Sequence, residues 1–158
     1  MKKHIESKGK RSFMNLQVIR ATEIWQQAGA YYVRIQGMAR QHGITLRREF
    51  DDKDTPETKY IVLTDDEFPV ATCRINPIDA TSALIGRVVV LPEYRGKELG
   101  RRVVNEAEAW IRDLGFSHIV VNSRETAVGF YQKLGFTVTD PTPIQGDTFR
   151  CIRMEKDL

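Results

Sequence analysis

At 158 residues the chain has the size of a single domain, and folding should bury about 68–70% of its extended surface, enough for one hydrophobic core. The formal charge of +3 is uneven: residues 1–13 carry +4 and leave −1 for the rest, so the basic balance belongs to a solvated tail and nucleic acid is not an expected partner. No apolar run approaches the roughly 18 residues of a membrane span and the N-terminus lacks an apolar signal core, so a cytoplasmic protein with no membrane partner is expected.

After the tail at residues 1–13, a single domain is expected over 14–158. Residues 16–21 are short and rich in branched side chains, the pattern of a strand. Thr22 is placed to cap a helix whose apolar positions Ile24, Trp25, Ala28, Tyr31, Tyr32, Ile35, Met38 and Ala39 recur at helical spacing. Gly43 should end that helix in a left-handed conformation. Residues 45–57 are charged, carry Pro56 and show no helical period, so they read as a loop with room for function.

Two apolar runs, 59–64 and 70–75, flank DDEFP and read as a hairpin, and 83–91 reads as a third strand beside it. Val103, Val104, Ala107, Trp110, Ile111 and Leu114 make one stripe of an amphipathic helix ended by Gly115. A buried-type strand at 117–121, a helix at 126–134 and two strands near 136–138 and 148–154 complete the order. The passage from Val88 through Trp110 to Val120 is a crossover and makes its two strands parallel, so the expected fold is α/β around a mixed sheet.

The chemistry concentrates at 85–100, IGRVVVLPEYRGKELG, where an apolar strand breaks at Pro92 and runs through a basic turn into a helix. The first N–H groups of a helix have no intrahelical partner and carry the positive end of its dipole, so a phosphate-bearing ligand is expected there. Arg95, Lys97, Arg101 and Arg102 add charge around the turn. Cys73 and Cys151 form no CxxC or His-associated pattern and read as reduced core residues, while the histidines show no metal-ligand spacing, so no metal is expected. His118 has no carboxylate beside it in sequence and reads as a surface or packing residue.

Two strings now carry a resemblance. Arg95 to Gly100 follow the strand–R-x-x-G-x-G/A–helix signature, and Ala127 to Phe136, AVGFYQKLGF, follow A-x-x-FY-x-k-x-GF. In this order and at this separation the chain resembles the GNAT superfamily of acyl-coenzyme A-dependent N-acyltransferases. Glu49 to Asp52, with Val70 to Arg74, make it similar to the small bacterial stand-alone members. The one departure is Glu98, where the family prefers glycine; it sets a carboxylate beside the expected pyrophosphate.

The resemblance implies a GNAT-like mixed central β-sheet flanked by helices, in the order β-α-β-β-β-α-β-α-β-β, with a splayed parallel strand pair. It implies acetyl-coenzyme A as acyl donor and a primary amine as acceptor. The pantetheine arm would lie along Val88, Val89 and Val90, with the Val90 N–H as oxyanion donor. Arg95, Gly96, Lys97, Glu98, Leu99, Gly100 and Arg101 would cradle the pyrophosphate. Tyr131 would be the general acid toward the leaving thiolate, and Asn122 would bond the pantetheine or fix the splay. For a base, Glu49, Asp51 and Asp52 border the acceptor cleft, with Glu49 the candidate taken and a solvated charged loop the alternative. A regulatory protein that binds acyl-coenzyme A without turnover is the rival reading, and the sheet edges leave pairing into a homodimer open.

Overall fold

Strands β1 (Leu16–Ala21), β2 (Lys59–Asp65), β3 (Phe68–Pro77), β4 (Ser82–Val90), β5 (His118–Arg124), β6 (Thr137–Gln145) and β7 (Arg150–Asp157) form one sheet, ordered β1-β2-β3-β4-β5-β7-β6, in a computed structural model. It describes residues 14–146 and 148–158, so the tail expected at 1–13 lies outside the described residues. Neighbouring strands are antiparallel except β4 and β5, which pair in parallel through α4 (Leu99–Asp113), as the crossover required. The remaining helices are α1 (Ile24–Arg34), α2 (Arg40–His42), α3 (Leu46–Glu49) and α5 (Val128–Lys133).

Alternation along β2 and β3 places the two long helices on opposite faces of the sheet. Ile61 and Cys73, paired across β2 and β3, lie toward α4, where the Cys73 thiol reaches the carbonyl of Val103. Tyr60 and Val62, one step away on β2, pack with Ala30 and Tyr31 of α1. The larger core cluster gathers Val103, Val104, Ala107 and Ile111 from the α4 stripe read in the sequence.

Several local expectations are corrected. The cap of α1 is Glu23, not Thr22: Gln26 Oε1 accepts from the N–H of Thr22 at 2.8 Å and of Glu23 at 3.0 Å, the return contact of a capping box. The helix then widens into a π-helical segment at Ile35–Ala39 before α2 ends against Gly43, whose φ is 63°. Within the expected loop at 45–57, α3 makes a single turn, too short to leave a period in the sequence. Strands β5 and β6 run past their expected ends because β7 pairs with both, reaching Arg124↔Cys151 and Gln145↔Arg150.

His118 stays at the surface but has carboxylate partners that its sequence neighbours do not supply. Register β5–β7 sets its Nδ1 2.7 Å from Asp157 Oδ1 and its Nε2 2.8 Å from Glu155 Oε1, so its carboxylate neighbours come from a distant strand. Their hydrogen bonds, Glu155 first and then Asp157, raise the imidazole pKa.

Candidate active site

A bulge in β4 opens the site. Gly86 pairs with Arg74 and Val89 with Thr72, so Arg87 and Val88 face the single residue Cys73, and Arg87 adopts a φ of 51°. The parallel pairing of β4 with β5 ends at Ile85↔Val121, after which β5 continues along β7. The strands therefore part just beyond the bulge, around a cleft of about 760 Å³ lined by Met38 and His42 on one side and Phe130 and Tyr131 on the other. Leu91 N–H donates to Val70 O at 2.9 Å, so ladder alternation turns the N–H and C=O of Val90 away from β3, toward the parting.

The turn after β4 carries two left-handed residues, Gly96 at φ 76° and Glu98 at φ 61°, before α4 begins at Leu99. An adjoining hollow of about 470 Å³ lies over Tyr94, Gly96 and Lys133, and shares Val90, Arg95, Gly100 and Phe130 with the cleft. The Arg95 guanidinium turns inward, its Nε donating to Val90 O and its Nη2 to Gly37 O, both at 3.1 Å. It braces the strand end instead of adding side-chain charge to the turn. Glu98 points outward, 70% exposed, and pairs with Arg101 at 2.9 Å. Lys97 lies over the Tyr94 ring.

Tyr131 is 8% exposed and packs edge-on between Phe130 and Phe136. Burial first, then the neighbouring Cys73 and Cys151 thiols, push its phenol pKa far above the ordinary tyrosine value, so the proton stays on at neutral pH. Asn122, two residues before the end of β5, lines the cleft from an exposed position. Cys73 is fully buried as expected, whereas Cys151 also lines the cleft, a correction to its reading as a core residue.

On the α3 side, Glu49 lines the cleft from within a charge network that the sequence reading missed. Arg34, with no exposed surface, donates from Nε to Glu49 Oε1 at 3.0 Å and from Nη1 to Asp54 Oδ1 at 2.6 Å. Arg74 Nη1 bonds Asp51 at 2.8 Å and Asp54 at 2.9 Å, and Arg87 Nη2 bonds Asp51 at 3.2 Å. Arg87 Nε also lies 3.6 Å from Glu49 Oε1. Burial works against the Asp54 charge, but the hydrogen bonds from Arg34 and Tyr60 outweigh it and hold the carboxyl well below the usual range. Glu49 is thus held between two guanidiniums, Arg34 at 3.0 Å and Arg87 at 3.6 Å. The one sequence signal for Arg34 is a charge at a core-facing helical position, next to buried Val33. Arg74 likewise anchors the loop at 45–57 to β3.

A mixed sheet split between two parallel strands, with a helix N-terminus at the mouth of the split, is the α/β arrangement that the resemblance implies. The acetyltransferase (GNAT) family model matches residues 13–136, and the chain belongs to that family. An uncharacterized acetyltransferase of Streptococcus pyogenes is 32% identical over 70% of this chain and 77% of its own length. A solved Lactobacillus plantarum structure assigned as an N-acetyltransferase shares 32% identity and a TM-score of 0.85, covering 90% of this chain and 98% of that one. A family acetyltransferase of Elizabethkingia anophelis, solved with acetyl-CoA bound, has the same fold at 16% identity, with a TM-score of 0.67 over 91% of this chain and 99% of that one.

Proposed function

We propose that the protein is an N-acetyltransferase that moves the acetyl group of acetyl-coenzyme A directly to a primary amine. The observation that carries this reading is the continuity of the two hollows through Val90, from the first turn of α4 to the Tyr131 phenol. The diphosphate would meet the free N–H groups of the turn and first helical turn, Gly96, Lys97, Glu98, Leu99, Gly100 and Arg101, in the positive field of the helix end. The pantetheine would run along Val88, Val89 and Val90 where β5 has left, with Asn122 across the gap.

At the thioester, the amine nitrogen attacks the carbonyl carbon while the outward N–H of Val90 stabilises the developing oxyanion. As the C–S bond breaks, Tyr131 donates its proton to the sulfur and recovers one from solvent. Burial raises the phenol pKa and so opposes a lasting phenolate, which is why the proton given to sulfur must be replaced at once from solvent. With Glu49 tied to Arg34 and Arg87, the ammonium proton passes to water in the open cleft, and Glu49 seats the loop. Cys151 has a thiol pKa raised by burial and lacks a base, so direct transfer is favoured over an acyl-enzyme. Incubation with acetyl-coenzyme A and a broad amine panel, read by product mass, should give acetylated amine. Binding of the donor with no product across the panel would favour a sensor instead.

A further inference from the structure

The acceptor end of the cleft contains a guanidinium with no carboxylate. Arg124 ends β5, two residues after Asn122 on the same face, and both line the cleft. Its guanidinium lies over the Phe149 ring, 3.7 Å from the centroid, and among the described residues it has no ion pair. Glu125, its neighbour in sequence, pairs with Arg150 at 3.1 Å instead. The Phe149 ring packs in turn perpendicular to His42, with centroids 5.2 Å apart, so the ring under Arg124 is itself held in place.

The carboxylates at this end are already paired. Glu49 and Asp51, which could have drawn a polycationic acceptor, are taken by Arg34, Arg74 and Arg87. A guanidinium stacked on an aromatic face keeps its edge N–H groups free, and those groups match a carboxylate in a planar, two-point contact. Register Arg124↔Cys151 puts it beside a residue that lines the cleft with Tyr131. The geometry points to an acceptor that carries a carboxylate as well as its amine, an amino acid, with the anion on Arg124 and the amine toward the thioester. This rests on the N-acetyltransferase reading, and it narrows the acceptor from any primary amine to an anionic one. Diamines and amino acid amides, which offer no anion, would leave the guanidinium unanswered.

The test uses the intact chain with acetyl-coenzyme A and three matched sets: the common amino acids, their amides, and the decarboxylated amines. Acetylated products are followed by mass, donor affinity by calorimetry, and acceptor binding to the coenzyme A complex by saturation-transfer NMR. The expected result is a kcat/KM at least tenfold higher for a carboxylated amine than for its amide. Arg124→Gln should remove that preference through KM with donor affinity unchanged, and Arg124→Lys should restore part of it. Amides or diamines turned over as well as the acids, or a preference untouched in Arg124→Gln, would overturn the anionic acceptor while leaving the acetyltransferase standing. Donor binding with neither turnover nor NMR contact for any acid would also overturn it. A failure to bind acetyl-coenzyme A at all would instead remove the underlying function, and this inference with it.

Discussion

A β-carbon on Gly37 would stand 2.7 Å from Cγ1 of Val89, so the π-helical segment rests directly on the strand that parts from β5. Val89 is buried and branched and has little freedom to withdraw. Gly37→Ala should therefore overpack the contact, costing about 1–3 kcal/mol in urea unfolding, and should displace Val90 and weaken donor binding. Unchanged stability and affinity would show that the segment can slide away from β4.

The buried pairing of Arg34 with Glu49 and Asp54 is expected to be costly to break from one side. Arg34→Ala leaves two carboxylates withdrawn from water and should destabilise the fold by about 3–5 kcal/mol. Arg34→Met, which refills the space, should lose as much unless Glu49 and Asp54 are neutralised too. Denaturation of the single and triple variants separates the charge effect from packing. A mild Arg34→Ala phenotype would mean that Arg74 and Arg87 already balance the cluster.

Glu98 shows where a departure from the family signature has a structural reading. Its φ of 61° is a conformation glycine adopts freely and a side chain resists. Glu98→Gly should raise stability by up to about 1 kcal/mol, since relief of strain is partly offset by a freer unfolded chain. It should also tighten acetyl-coenzyme A binding by releasing Arg101, an effect that fades as salt is added. Weaker binding at low salt would count against a diphosphate at this turn.

Tyr131→Phe should lower turnover by about a hundredfold or more while leaving the donor dissociation constant in place, because only the proton donor is lost. Stopped reactions analysed by mass, alongside calorimetry, provide both numbers. Full turnover in the variant would assign the phenol to packing.

His118 predicts a stability change on the alkaline side. Its pKa is raised in the folded chain, so the stabilisation from Glu155 and Asp157 is complete below the unfolded value of about 6.5 and declines as pH rises through the higher folded value. Because Asp157 is almost fully exposed, the effect should stay below about 1 kcal/mol. Thermal unfolding against pH should lose this slope in His118→Gln, and an identical profile in both proteins would remove the linkage.

Much of this was legible in the chain because it rests on local periodicity. The α4 stripe, the Pro92 break and the FYQKLGF string each place an element without knowledge of its neighbours. The bulge at Arg87 was not legible, since it depends on which residues of β3 stand opposite. Arg34, Arg124 and Phe149 were missed for the same reason: their partners come from other elements, and nothing within a few residues announces them. Glu49 was found by its acidic loop, yet its ion pairs, which decide its chemistry, were not.

The most direct measurement is a crystal structure of the complex with acetyl-coenzyme A. The diphosphate should rest on the N–H groups between Gly96 and Arg101, the pantetheine should pass along Val88 to Val90, and the sulfur should lie within hydrogen-bond reach of the Tyr131 hydroxyl. A nucleotide bound away from the first turn of α4, or a thioester remote from Tyr131, would contradict the assignment of this cleft.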